Sequence, residues 1–124
     1  MNHKFKKCNI CGKVIEVMNQ EAIPTICCGE EMQELVANTV DASVEKHVPA
    51  YQVNGDEIEV QIGQVLHPSE VEHHIMWIAL LNDNNIVKTY LKPGDKPEAI
   101  FRYIKGTTIY AYCDLHGLWK KEVE

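Results

Sequence analysis

The chain lacks any apolar run approaching the roughly 20 residues that span a bilayer. Its first residues, Met1-Asn2-His3-Lys4-Phe5-Lys6-Lys7, are basic but lead straight into Cys8-Asn9-Ile10-Cys11, with no apolar stretch between. Neither a membrane span nor a secretory signal is expected, and the cytoplasm is the expected compartment. An excess of positive charge is missing too. With 12 Lys and Arg against 18 Asp and Glu the formal net charge is -6, whereas a broad nucleic-acid-binding face would need clustered cations. No segment carries a run of helical periodicity, and there is no internal repeat or low-complexity tract. The cysteines number five. An odd set in a chain without an export signal makes a disulfide framework a poor explanation.

Those cysteines are present in a telling distribution. Four fall within the first 28 residues and the fifth is Cys113, which suggests two sites. Residues 1–36 hold Cys8-x-x-Cys11, a β-like segment Val14–Val17, and Thr25-Ile26-Cys27-Cys28-Gly29. A piece below about 40 residues needs a metal or disulfide to fold, so the expectation is a small module stapled by Cys8, Cys11, Cys27 and Cys28. The two-residue spacer of Cys8-x-x-Cys11 lets both sulfurs face one point. Cys27 and Cys28 are adjacent, and neighbours in a strand point to opposite faces. The backbone must therefore bend sharply there, helped by Gly29, giving a distorted tetrahedral S₄ site. Zinc and iron both suit it. A redox dithiol would belong in a βαβ unit, which this segment lacks.

From about residue 38 the pattern turns to strands. Val53-Asn54-Gly55-Asp56 carries the Asn-Gly signature of a type I′ hairpin turn. Glu57 to Gly63 alternates polar and apolar, as a half-buried strand does. Ile75 to Leu81 is apolar on both parities, as a central strand would be. Asn82-Asp83-Asn84-Asn85 is a turn, Ile86 to Leu91 a further strand, and Lys92 to Pro97 a loop. Ala99 to Ile104, Thr107 to Tyr112 and Leu118 to Val123 complete the set. Roughly seven short strands imply an all-β domain over residues 37–124, an immunoglobulin-like antiparallel β-sandwich.

Within that domain Cys113-Asp114-Leu115-His116-Gly117 places a thiol and an imidazole three residues apart in a tight loop. A soft anionic sulfur beside a neutral nitrogen donor suits a metal. His47, in a charged stretch ending at Pro49, reads as a loop residue. His67 precedes Pro68, which forces it out of the helical region. His73 and His74 head the apolar strand, one facing each way, and periodicity does not separate them. Singly, each reads as an ordinary histidine and Cys113 as a small buried hydrophobe. Together they offer one sulfur and four nitrogens. Zinc usually stops at four ligands, so a five-donor set with one thiolate suits iron better, with one position left for a small molecule.

The motifs taken in order resemble desulfoferrodoxin, the two-iron superoxide reductase family. Cys8-Asn9-Ile10-Cys11-Gly12 with Cys27-Cys28-Gly29-Glu30 resembles its desulforedoxin-like N-terminal module. Glu45-Lys46-His47-Val48-Pro49, His67-Pro68 followed by His73, and Cys113-Asp114-Leu115-His116-Gly117 resemble its remaining motifs. The resemblance covers essentially the whole chain. It implies two iron ions per chain, one held by Cys8, Cys11, Cys27 and Cys28 and one by His47, His67, His73, Cys113 and His116. It selects His73 over His74. It implies one-electron reduction of superoxide to hydrogen peroxide, a detoxification under oxidative stress, with electrons from a small rubredoxin-like donor, and a homodimer. It gives catalytic roles to Lys46, which attracts the anion and orders a proton-donating water, and to Glu45, which closes the site after product leaves. Two positions depart from the family pattern: His74 stands where an aromatic is usual, and Asp114 replaces Asn. The alternative from another class is a non-catalytic electron-transfer or metal-binding protein working through the four-cysteine site.

Overall fold

The computed structural model describes residues 4–19, 22–39, 44–64, 67–82 and 85–124, with the side chains of Lys4 and Glu45 outside the description. The chain divides into two compact units, Met1–Val36 and Ala37–Glu124.

The first unit is built of very short strands: β1 (Lys4–Lys7), β2 (Val14–Val17), β3 (Ile26–Cys27), β4 (Glu30–Glu31) and β5 (Gln33–Glu34). A three-stranded sheet runs in the order β2-β1-β5, and β3 and β4 form a separate hairpin. Its buried apolar residues among those described are Phe5, Cys8, Val17 and Met32, while Ile10, Met18, Ile23 and Ile26 are exposed. So little burial does not order a chain of this length unaided.

The second unit is an antiparallel sandwich. Its elements are α1 (Val44–His47), β6 (Pro49–Asn54), β7 (Glu57–Ile62), β8 (Ile75–Leu81), β9 (Ile86–Tyr90), β10 (Glu98–Arg102), β11 (Thr108–Cys113) and β12 (Gly117–Glu122). One sheet has the order β10-β7-β6 and the other β12-β11-β8-β9, the A-B-E and C′-C-F-G arrangement of an immunoglobulin-like sandwich. β7 sends Ile58, Val60 and Ile62 inward and Glu57 and Glu59 outward. These meet Ile75, Ile78, Leu80, Phe101, Ile109, Ala111 and Cys113 in one core cluster. β8 lies between β11 and β9 and is buried on both faces save at Met76.

Two local features differ from the sequence-based expectation. The β6–β7 turn falls one residue later than its Asn-Gly signature, because Asn54 pairs with Glu57 and leaves Gly55-Asp56 as the loop. Gly55 has φ +60° and Asp56 has no positive φ, which is the glycine-first pattern of a type II′ turn. A one-residue slip would flip Ile58, Val60 and Ile62 to solvent, so the core sets the register. His47, expected in a loop, ends a single helical turn closed by Val48 N–H donating to the Val44 carbonyl at 3.0 Å. One turn is too short to leave a period, and Pro49 stops it by disfavouring helical backbone at Val48. The middle of the expected 82–85 turn lies outside the described residues. Its ends are joined, with Asn85 N–H donating to Asn82 Oδ1 at 3.0 Å.

Candidate metal centres

In the first unit the chain leaves β1 at Lys7 and curls at once. Gly12 N–H donates to the Cys8 carbonyl and Cys8 N–H to the Lys13 carbonyl, both at 2.9 Å. The curl aims Cys11 N–H at Cys8 Sγ, 3.5 Å away. The β3–β4 hairpin supplies the other two sulfurs. Cys27 pairs with Glu30, so Cys28-Gly29 is a two-residue turn, with φ +53° and +78°. Positive φ at both positions is the type I′ turn, whose first slot ordinarily takes Asn, Asp or Gly. A cysteine there accepts left-handed backbone in return for the direction of its sulfur.

The four Sγ atoms all lie within 4.8 Å of one another. Cys11 and Cys27 Sγ are 3.7 Å apart, and Cys27 and Cys28 Sγ 4.0 Å. A disulfide needs about 2.05 Å. Two sulfurs each about 2.3 Å from one ion at tetrahedral corners stand about 3.8 Å apart, so the spacing fits a shared metal. The backbone N–H of Cys11 lowers the Cys8 thiol to about 6. Hydrogen bonding to Cys8 and Cys11 raises Cys27 to about 12, and Cys11 and Cys8 likewise raise Cys28. Four thiolates do not coexist there without a cation. Metal binding at neutral pH therefore expels protons.

In the second unit four imidazoles close into a ring. Centroids of successive members are 4.7 Å apart for His47 and His67, 4.6 Å for His67 and His73, 5.0 Å for His73 and His116, and 4.9 Å for His116 and His47. Neighbouring rings are near perpendicular, at 77° to 90°. Across the ring His47 and His73 are 6.1 Å apart. His47 Nε2 and His116 Nδ1 approach to 3.1 Å, close to the ~3 Å between two nitrogens bound at right angles to one ion with ~2.1 Å bonds. The donors of His47, His73, Cys113 and His116 lie within 4.8 Å of one another, with His67 completing the ring of imidazoles.

Several of these side chains are held from behind. His67 Nδ1 donates to the Pro68 carbonyl at 2.7 Å, which leaves Nε2 as the bare nitrogen. That atom and His73 Nε2 are buried with no hydrogen-bond partner, a costly state for isolated polar groups and the expected one for metal donors. Burial, with smaller contributions from His47, His73 and His116, lowers His67 to about 4, so it is neutral at pH 7 and able to ligate. Cys113 is fully buried. Burial pushes its thiol up, opposed by the backbone N–H groups of His116 and Leu115. The His116 N–H lies 3.4 Å from Cys113 Sγ. A β-bulge sets the sulfur's position: Tyr112 pairs with Trp77 but Cys113 with Ile75, which leaves Met76 without a partner on β11.

Trp119, which sequence reasoning did not single out as a site residue, supports the ring. It is buried, stacks on His47 at 4.9 Å and 27°, and donates Nε1–H to the His116 carbonyl at 3.1 Å. The available signal was a tryptophan three residues after His116 at the start of the last expected strand.

Comparison with known proteins bears on both centres. The family model for desulfoferrodoxin matches residues 39–122, and that for the desulfoferrodoxin N-terminal domain matches residues 2–35. The chain belongs to the desulfoferrodoxin family. It is 46% identical over 117 residues to the desulfoferrodoxin of Syntrophotalea carbinolica, covering 94% of this chain and 93% of the relative. It is 37% identical over 99 residues to the superoxide reductase of Thermococcus kodakarensis, covering 64% of this chain and 86% of that one. Among solved structures, superoxide reductase from Treponema pallidum superposes with a TM-score of 0.76 at 28% identity, covering 98% of this chain and 99% of that chain. The cysteine cluster and the His/Cys cluster fit the two iron centres of a desulfoferrodoxin.

Of the neighbouring pair, His73 enters the desulfoferrodoxin ring of imidazoles and His74 faces away from it, with Nδ1 3.2 Å from Asp114 Oδ2. Lys46 is exposed at the third position of α1. The expected role of Glu45 falls on a side chain outside the described residues. No helix among the described residues is long and apolar enough to cross a membrane.

Proposed function

We propose that the chain is a superoxide reductase, with His47, His67, His73, His116 and Cys113 as the ligands of its reactive iron and Cys8, Cys11, Cys27 and Cys28 as those of a second iron. The observation that carries the reading is the closed ring of four imidazoles beside a buried thiol. Bound there, a ferrous ion supplies the single electron that, with two protons, turns superoxide into hydrogen peroxide. The protein's own groups prepare that step. His67 and His73 present bare, desolvated nitrogens. The Leu115 and His116 N–H groups stabilise the Cys113 thiolate. Lys46, exposed and next to His47, draws a small anion toward a chain of net charge -6 and orders a proton-donating water. Glu45 is assigned the carboxylate that closes the site once product leaves. The reading extends to a cytoplasmic homodimer supplied with electrons by a rubredoxin-like protein.

The test combines metal analysis with stoichiometry. Two irons per chain, and one peroxide formed per superoxide consumed without oxygen release, are expected. Oxygen release, or zinc in the second centre, would overturn the reading. Lys46→Ala should slow the reaction with superoxide several-fold and flatten its dependence on salt, since steering by an exposed charge is screened. Equal rates at low salt would remove Lys46 from the mechanism.

A further inference from the structure

His74 and Asp114, 40 residues apart in sequence, touch each other. His74 N–H donates to Asp114 Oδ1 at 2.9 Å. Asp114 N–H donates to the His74 carbonyl at 3.2 Å. His74 Nδ1 lies 3.2 Å from Asp114 Oδ2, in contact range though without an aligned hydrogen bond. Both side chains are mostly covered, at 12% and 23% exposure. Each residue follows a member of the second centre, His73 in one case and Cys113 in the other. The contact also sits where the β8–β11 ladder is broken. The bulge sets Cys113 opposite Ile75, and beyond it the gap between the Cys113 loop and the approach to β8 is crossed by the Asp114 N–H bond to the His74 carbonyl. The Asp114 carboxylate spans that gap.

We propose that His74 and Asp114 form a positioning clamp that locks the thiolate loop to the segment carrying His73, so that Cys113 and His73 reach one metal with little reorganisation. Neither residue is a ligand. Asp114 acts through Oδ1 on the His74 backbone, and the imidazole packs against the second carboxylate oxygen. A ligand held by its surroundings loses less freedom on binding, and removing such support typically costs about 10- to 100-fold in metal affinity. Asparagine preserves the Oδ1 acceptor and so preserves most of the clamp; alanine removes both arms. The inference rests on His73 and Cys113 sharing one metal.

The experiment uses the full-length iron-loaded protein in four forms: parent, Asp114→Ala, Asp114→Asn and His74→Phe, with the Asp114→Ala/His74→Phe double variant to close a cycle. Three readouts are taken: release of each iron to a chelator, the energy of the cysteine-to-iron charge-transfer absorption of the second centre, and the melting temperature of the metal-free protein. Asp114→Ala should release the second iron at least tenfold faster and shift that absorption, with release from the four-cysteine centre unchanged. Asp114→Asn should stay within about threefold of the parent. His74→Phe should have a smaller effect than Asp114→Ala and add little to it in the double variant. A lowered melting temperature with unmoved absorption would overturn the clamp in favour of a merely structural contact. So would simple addition of the two single effects, or release from Asp114→Ala at the parent's rate. Should Asp114→Ala not fold, the Asp114→Asn and His74→Phe pair decides on the same absorption. A parent that holds no second iron would instead refute the functional reading.

Discussion

The two metal centres of this chain are made in opposite ways. In residues 1–36 the strands are two to four residues long, four apolar side chains are buried among those described, and Cys28 takes up left-handed backbone. There the metal supplies what the core lacks. In residues 37–124 a sandwich core built on β7, β8, β10 and β11 exists without help, and the imidazole ring hangs from its edges, with His67 braced by the Pro68 carbonyl and His47 and His116 by the Trp119 indole. There the fold supplies what the metal needs. One region folds because it binds; the other binds because it folds.

Stripping both metals from the protein should produce the largest effect and break the two regions apart. The first unit should lose its amide protection against hydrogen exchange across residues 4–19 and 22–36, since its free energy of folding is mostly that of metal binding. The β7 and β8 amides should stay protected. Equal protection in both regions of the metal-free protein would mean that the small unit has a sufficient core, and the contrast would fail.

A single substitution sharpens the same contrast. Cys28→Asn places the residue that a type I′ turn prefers at the φ +53° position. The hairpin itself should gain about 1 kcal/mol from relieved backbone strain, yet the protein should lose the first iron and keep the second. Metal content and melting of the two units read this directly. Retention of the first iron would show that three cysteines suffice.

Much of the sandwich was legible because its signals are physical. The alternation of Glu57 to Ile62 and the two-sided apolarity of Ile75 to Leu81 are what half-buried and central strands require, and both strands occur at those positions. The strands β3, β4 and β5 were not legible: two residues carry no period. The slipped β6–β7 turn shows local turn preference yielding to core register. At the second centre the ligand types could be read from the pattern, but the choice between His73 and His74 could not, since a period of two puts one on each face and both faces are apolar. The stacking of Trp119 on His47 lay beyond reach for a similar reason. It depends on the packing of β12 near α1, which no local pattern encodes.

Acid offers a subtler separation. Burial lowers His67 from 6.5 to about 4. Between those values the unfolded chain binds a proton that the folded sandwich refuses, so folding stability must fall as pH drops through that window and recover above it. Urea denaturation of the metal-free protein at about pH 7 and about pH 5 checks the sign, and His67→Phe should weaken the dependence. Stability that is flat, or that rises on acidification, would mean that burial does not lower His67 in the folded sandwich.

The smallest expected effect concerns charge alone. Asp114 carries a carboxylate beside Cys113. Negative charge near an iron centre favours its oxidised form, so the second iron should sit at a lower reduction potential than it would with asparagine. Asp114→Asn keeps the acceptor for the His74 N–H, and therefore the geometry, while removing the charge. The potential should move upward by a modest amount, because the side chain retains some contact with solvent, at 23% exposure, and water and salt screen it. A redox titration followed at each centre's own absorption measures it, with the four-cysteine iron as internal reference. An unchanged or lowered potential at the second centre would mean that the charge at position 114 does not reach that iron, and the carboxylate would then matter for position and not for potential.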